Sequence, residues 1–490
     1  MRVLLWIAFP ALLAAQRGDA DALVGRALAC AQADEWREAG ALLEEGMQRF
    51  PRDKRFPSEM AGVAYHAGDR ERARRNLRRA LAIDPADEYA NDFLGTLYVL
   101  DGNLEAALRY WNRIGKPRVR RVVLDSSAGA IPPAAGRALA IAPGQVLSES
   151  RLLAARSPDY RLSLVPGGDG DEYDVMFQPA AVRRTAWRRA ISAAAELPYQ
   201  TLHIEASNIA NSGAGVDSMW RWDPNRRRVA ASVSVPVGAH PNLLFRASAD
   251  ALDENWDTGA LFGMRKLETG VELEYSLTGR LRWTSGVFAS TRRFDRAPAT
   301  FIGGRALQFE SGVLYDALRL PEHRLVVQVG AKAQGGPGPA GAYSKAQLQA
   351  GVRWDASPSV SVSSQWRGGK ASGAVPFDEL FLLGMDRDTD LWLRGHLAAR
   401  GGMKGAGPLG RTYFLVQNEI SRTLFRVPFV RCDLVPFLDV GRAYDFGPGS
   451  LAVDAGIESR FRLPGGLVFR VISGFDTRTG KSAIYTAVGR

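Results

Sequence analysis

Few residues in this sequence have the types and spacing that chemistry on a substrate requires. The chain has five histidines and two cysteines. They are scattered, and none of their spacings is typical of a metal site. No serine, histidine and aspartate residues form a convincing catalytic set. The sequence therefore predicts a protein that is not an enzyme and that uses no cofactor or metal.

Charged residues near the C-terminus are better candidates for a functional site. Arg394 is followed by Gly395 and His396. Further along, Glu419 and Asp439 each lie on the polar face of a predicted strand.

The elements that would position these residues are strands. From Tyr199 to the C-terminus, apolar and charged residues alternate with a period of two, for example in residues 266–275, 324–332, 345–354 and 453–462. In a transmembrane β-barrel, this pattern directs apolar side chains to lipid and charged ones to a wet interior. A soluble β-sandwich is the alternative. We count about 15 candidate strands and expect 16, because such barrels usually have an even number; 14 is possible.

An all-α repeat region precedes the barrel. Residues 20–117 repeat every 34 residues, which is the length of a tetratricopeptide repeat. Small residues recur where paired helices would approach closely, at Ala27, Ala61 and Gly95 and at Ala39, Ala73 and Ala107. Such a stack offers a concave face for peptides. The alternative is a spacer that binds no client.

Residues 118–179 have the pattern of a small α+β module with the order β-α-α-β-β. The predicted strands are Val119–Leu124, Tyr160–Val165 and Glu172–Phe177, and the predicted helices are Ile131–Ala142 and Ser148–Arg156. Residues 180–198 are predicted to be a basic amphipathic linker, so the barrel would occupy residues 199–490.

The N-terminus and the charge indicate an exported protein beside a membrane. Residues 1–15 have the basic start, apolar run and small residues of a signal peptide. No later segment has the roughly 18 apolar residues of a membrane helix, so a membrane crossing would need strands. The net charge of +11 is spread along the chain. It therefore favours anionic lipid over nucleic acid as a partner.

The order of these motifs resembles the outer-membrane assembly and two-partner-secretion barrels, the bacterial surface antigen family. Residues 118–179 resemble a POTRA domain, the periplasmic module that precedes such barrels, and Pro143–Ser148 is the most similar part. The similar barrel motifs are residues 376–384, 391–396, 418–420 and 436–441.

This resemblance implies that a long loop folds back into the barrel interior. Arg394 would be the arginine at its tip, and Glu419 and Asp439 would be its partners on the wall. An arginine between two carboxylates would form charge-assisted hydrogen bonds. The alternative is that Arg394 and Gly395 form an ordinary surface turn. His396 stands where the family usually has phenylalanine or tyrosine.

The resemblance implies a bacterial outer-membrane protein whose N-terminal domains lie in the periplasm. We expect it to assemble, insert or translocate polypeptides, with the repeats as a docking site for clients or for periplasmic or lipoprotein partners. The alternative is an export pore for exopolysaccharide or surface lipoproteins, for which an open interior without an arginine loop is expected.

Overall fold

The computed structural model describes most of the chain, namely residues 4–124, 143–155, 160–167, 171–179, 196–209, 212, 214–238, 242–277, 279–447, 449–463 and 467–489. The chain forms two compact units, one mainly from residues up to Arg121 and the other mainly from Met176 onwards. The predicted helix Ile131–Ala142 and all but the last three residues of the predicted linker lie outside the described residues. Residues 197–199 form a short 3-10 turn.

The N-terminal region is helical, as predicted. Its helices are α1 (Leu4–Gln32), α2 (Trp36–Arg49), α3 (Arg55–His66), α4 (Arg70–Ile83), α5 (Glu88–Leu100) and α6 (Leu104–Trp111). The turn within each helix pair has a residue with positive φ at the same point of the 34-residue period: Asp34, Gly68 and Gly102. Asp69 and Asn103 then cap α4 and α6 by accepting hydrogen bonds from backbone N–H groups.

The repeated small residues lie in the core of this helical region. Ala27, Ala61, Ala39, Ala73 and Ala107 are buried, as is Gly95. The reason is clearest at Gly95, because a Cβ there would overlap the indole of Trp111. That indole donates a hydrogen bond to the Asp92 carbonyl at 3.1 Å. The small residues of the period therefore serve helix packing.

A three-stranded sheet follows the helices. Its strands are β1 (Arg118–Leu124), β2 (Tyr160–Pro166) and β3 (Glu172–Pro179), in the order β1-β3-β2, and α7 (Glu149–Ala154) lies between β1 and β2 in the chain. Each predicted strand is present within two residues of its predicted ends. Arg120 of β1 binds the Asp174 carboxylate of β3 through two hydrogen bonds of 2.8 and 2.7 Å.

The C-terminal part is a closed antiparallel barrel, as predicted. Fifteen of its described strands have eight residues or more: β4 (Thr201–Ile209), β5 (Ala214–Asp223), β6 (Arg226–Pro236), β7 (Leu243–Asp257), β8 (Leu261–Ser276), β9 (Leu281–Asp295), β10 (Gly304–Leu320), β11 (Leu325–Gly338), β12 (Gly341–Ser357), β13 (Val360–Gly373), β18 (Thr412–Val427), β19 (Val430–Tyr444), β20 (Ala452–Arg462), β21 (Val468–Asp476) and β22 (Ser482–Gly489). The two-residue strand β15 (Ala399–Arg400) pairs with β16 (Met403–Lys404), which in turn pairs in parallel with β7. The strand β14 (Phe381–Leu382) pairs with β17 (Leu409–Gly410). The predicted count of 16 stays a prediction.

The two faces of the barrel wall differ in chemistry. On β8, Leu267 and Val271 are 54% and 45% exposed on the outside. The preceding residue, Lys266, points inward and binds Glu268. Large apolar side chains are exposed around the outer wall, including Trp220, Trp354 and Ile457. The alternation in the sequence therefore separates an apolar exterior from a charged interior. Among the described helices, none has the length and apolar content that a membrane crossing requires.

Candidate functional site

The interior of the barrel contains the segment that joins β13 to β18, residues 374–411, which we call the inserted segment. Its apolar side chains pack against the inner wall in three buried clusters. In one of them, the members from the segment are Phe381, Leu383, Leu391 and Leu393, and those from the wall are Ala371, Tyr413, Leu415, Ala443 and Ala452. This packing holds the segment inside the barrel and brings Arg394 to the wall formed by β18, β19 and β20.

Arg394 is the centre of the first charge cluster of the inserted segment. Its side chain is 1% exposed. It donates two hydrogen bonds to the Asp439 carboxylate, from Nε at 2.8 Å and from Nη2 at 2.6 Å. Its Nη1 contacts Glu419 at 2.5 Å and Glu458 at 3.4 Å. The structure thus places Arg394 against both residues that the sequence indicated and against Glu458, a third carboxylate.

An aromatic ring completes the environment of the guanidinium. The Arg394 Cζ lies 3.9 Å from the centroid of the Phe437 ring. Phe437 and Asp439 are two residues apart on β19, so both point inward. A guanidinium can stack on such a ring while its edge donates to carboxylates. The wall therefore binds both the flat face and the charge of the Arg394 guanidinium.

The two residues after Arg394 meet the next strands. The Gly395 N–H donates to the Asp454 carboxylate. The His396 Nδ1 lies 3.1 Å from the same carboxylate, and its Nε2 lies 3.9 Å from Asp476. A Cβ at Gly395 would press on Asp454 and on the backbone of Phe475. Glycine is therefore required here because the segment lies directly against the wall.

Three aspartates form a row across the wall behind this motif. Asp439 on β19 is the cross-strand partner of Asp454 on β20, and Asp454 is the partner of Asp476 on β21. All three side chains are almost completely buried. Like charges directly opposite one another destabilise a sheet unless they are compensated. The segment contributes that compensation through Arg394, the Gly395 N–H and His396.

A second charge cluster joins the inserted segment to β5 and β6 with the opposite polarity. Here the segment contributes carboxylates and the wall contributes arginines. Asp386 accepts hydrogen bonds from both terminal nitrogens of Arg226, at 2.6 and 2.9 Å. Asp388 accepts from Arg221 at 2.9 Å and from Arg228 at 3.3 Å. These groups lie in the interior and are mostly buried, so removing one partner would leave a charge without its counter-ion.

A third charge cluster lies at the start of the inserted segment. Asp378 is 3.0 Å from Arg292 on β9 and 3.2 Å from Lys266 on β8. Glu379 accepts a hydrogen bond from Gln334 on β11 at 3.0 Å and lies 3.6 Å from Lys345 on β12. Together, the three clusters connect the segment to strands on several sides of the barrel.

The sequence-based reasoning did not identify most members of these clusters. Glu458 and Asp454 were recognised as charged residues on the inward face of β20, but not as partners of the arginine motif. Asp386 and Asp388 gave no periodic signal, because the inserted segment has little regular structure. Their pairing with arginines more than 150 residues earlier depends on barrel closure.

Metal-ligating groups are sparse in the part of the chain that the structure describes. The one group of three with ligand atoms close together is Cys30, Glu35 and Glu38, at the turn between α1 and α2. None of these three residues belongs to the inserted segment or its clusters.

The barrel fold is similar to that of CdiB from Escherichia coli. The TM-score is 0.52 at 14% sequence identity, over 76% of this chain and 76% of that chain. Similarity is lower to CdiB from Acinetobacter baumannii (TM-score 0.48, 13% identity, 76% and 74% covered) and to BamA from Haemophilus ducreyi lacking POTRA domains 1–3 (0.44, 13%, 76% and 84%). At these identities, the likeness to the E. coli protein concerns the fold alone. No protein-family model and no curated protein matches the sequence.

Proposed function

We propose that this chain is a bacterial outer-membrane barrel that assembles, inserts or translocates polypeptides and is not an enzyme. The observation that carries the proposal is the inserted segment, docked inside a closed barrel through Arg394. The segment is held by ion pairs and by apolar packing of its side chains, and the long barrel strands pair without it. It can therefore undock without unfolding the barrel. The apolar exterior supports a lipid environment for the strands.

The N-terminal helical region is proposed as a periplasmic docking site for clients or partner proteins. Among the described residues of this region, the large apolar side chains exposed to solvent lie only on α1, α3 and α5: Leu28, Tyr65, Tyr89 and Leu100. These helices are the first members of the helix pairs in the 34-residue period. Phe93 contacts both Tyr65 and Tyr89 edge-on. Rigid aromatic side chains of this kind are suited to binding a peptide.

The alternative is an export pore for polysaccharide or surface lipoproteins. That function calls for an open path, whereas the interior of this barrel holds an inserted segment with three charge clusters. This observation favours a gated passage for polypeptides over a permanently open pore.

Depletion of the protein in its native bacterium tests the proposal. Outer-membrane and secreted proteins would be quantified by mass spectrometry, alongside surface polysaccharide. We expect a defined set of outer-membrane or secreted proteins to fall, and complementation with the parent chain to restore them. Unchanged levels of all these proteins would refute the proposal, and a loss of surface polysaccharide alone would support the alternative.

A further inference from the structure

Three arginines form an outward-facing patch on adjacent strands: Arg265 on β8, Arg293 on β9 and Arg305 on β10, which we call the arginine patch. Their orientation follows from their neighbours in the chain. Lys266 and Arg292 point inward and contact the inserted segment, and strand side chains alternate between faces. All three arginines are exposed, with 63% exposure for the side chain of Arg265.

The arginine patch brings like charges together. Arg265 and Arg293 are direct cross-strand partners. Arg305 is opposite Thr291 and therefore diagonal to Arg293. Arg265 is paired with Asp295 at 3.1 Å and approaches Asp253 at 3.6 Å. Arg293 and Arg305 form no ion pair with any described residue. The repulsion between these neighbouring like charges is unfavourable, and an external anion that binds Arg293 and Arg305 would relieve it.

The patch also borders the apolar exterior directly. Leu267 follows Arg265 on the same face of β8, and Phe309 lies on the same face of β10 as Arg305; both apolar side chains are 54% exposed. At about 3.3 Å per residue, Leu267 begins about 7 Å along the strand from Arg265. A free anion would use only the arginines. An amphiphile with an anionic head and apolar chains would contact both surfaces.

The patch lies at the end of the barrel from which the inserted segment enters. The connections at this end include residues 296–303, 374–411 and 445–451, whereas those at the other end include the short turns 321–324, 358–359 and 428–429. In outer-membrane barrels the longer loops are extracellular. The patch would thus face the head groups of the outer leaflet.

We propose that the arginine patch binds the phosphorylated head group of a membrane lipid, with the acyl chains lying along Leu267 and Phe309. Arginine suits this ligand because its guanidinium binds phosphate oxygens in a bidentate manner. The inference rests on the membrane-embedded barrel of the proposed function, and it does not depend on which client the barrel handles.

The test uses the purified full-length protein in detergent micelles. Binding of diphosphorylated lipid A would be measured by native mass spectrometry for the parent and for the triple variant Arg265→Gln, Arg293→Gln, Arg305→Gln. Each arginine near an anionic lipid contributes roughly a fivefold change in affinity. We therefore expect the triple variant to bind about a hundredfold more weakly, and Arg293→Gln alone about fivefold more weakly.

A matched control removes three other outward-facing cations, Lys370, Arg422 and Arg442, by substitution with Gln. These residues lie on β13, β18 and β19, away from the patch, and we expect this variant to bind as the parent does. Equal loss in both triple variants would refute a specific site. Equal binding of phosphatidylcholine, or displacement of lipid A by millimolar inorganic phosphate, would also overturn the proposal. If the triple variant does not fold, Arg293→Gln and Arg305→Gln singly decide the result.

Discussion

Replacing Arg394 by alanine is the perturbation that tests the inserted segment most directly. The substitution removes the cation from a cluster in which Asp439 and Glu458 are both 0% exposed and Glu419 is 19% exposed. Arg460 and Arg470 also contact Glu458, so this carboxylate keeps partners. Asp439 loses all of its hydrogen bonds from the guanidinium and remains opposite Asp454 in the row of aspartates.

The size of the effect follows from this loss. Removing one partner of a buried ion pair costs about 3–5 kcal/mol, because the remaining charge stays buried without compensation. If this cost falls on the docked state of the segment, the equilibrium between docked and undocked states shifts by about two to four orders of magnitude. The second and third clusters still hold the segment. We therefore expect frequent transient opening and no permanent open state.

Single-channel conductance in planar lipid bilayers measures this shift. We expect the parent to remain mostly closed and Arg394→Ala to show more frequent and larger openings. Arg394→Lys retains the charge and loses the bidentate geometry, so its opening frequency should lie between the two. Arg431→Ala serves as the matched control, because Arg431 is an arginine of the wall and its partner Asp433 is also bound by Arg462.

Two results would refute this reasoning. Conductance of Arg394→Ala equal to that of the parent would show that Arg394 does not hold the segment closed. An equal rise for Arg431→Ala would show that conductance responds to any loss of interior charge. Correct folding of each variant would be checked by the resistance of the barrel to trypsin in micelles.

Three further predictions concern other parts of the molecule. Gly95→Val should lower the free energy of unfolding of the helical region by about 1–3 kcal/mol through overpacking. Gly62→Ala on α3, where a Cβ would contact only the Tyr89 hydroxyl at 4.0 Å, should raise it by up to about 1 kcal/mol; urea unfolding followed by circular dichroism checks both. The Arg120 guanidinium lowers the pKa of Asp174 to about 2, below the unfolded value of about 3.9. The resulting stability is complete above about pH 5 and is lost as the pH falls towards 2, so pepsin should cleave residues 118–179 faster at pH 2 than at pH 4, with less change in Asp174→Asn. Gly395→Ala should push the segment off the wall and raise conductance as Arg394→Ala does.

The sequence allowed the barrel to be predicted because the strand period is local. Alternation at positions such as Leu267 and Val271 needs no knowledge of distant residues. The helical period was equally clear, since Ala27, Ala61 and Gly95 must all be small where helices pack closely. The strand count was harder, because weak strands and helical patterns have similar composition in short windows.

Within the candidate site, the sequence identified Arg394, Glu419 and Asp439 through a resemblance to known motifs. The contacts of Asp386 and Asp388 could not be predicted in this way. They join a segment with little regular structure to β5 and β6, and this proximity exists only after the sheet closes on itself. The arginine patch was missed for a similar reason, because its members are adjacent only through strand register.

The row of Asp439, Asp454 and Asp476 has a consequence for the order of biogenesis. These aspartates come from strands that follow the inserted segment in the chain, while their compensating groups come from the segment itself. A barrel that closed with the segment left outside would turn three adjacent carboxylates towards its interior without the groups that compensate them. Entry of the segment and completion of the last strands are therefore expected to be one cooperative event. The row of aspartates would thus disfavour the closure of barrels that lack the inserted segment.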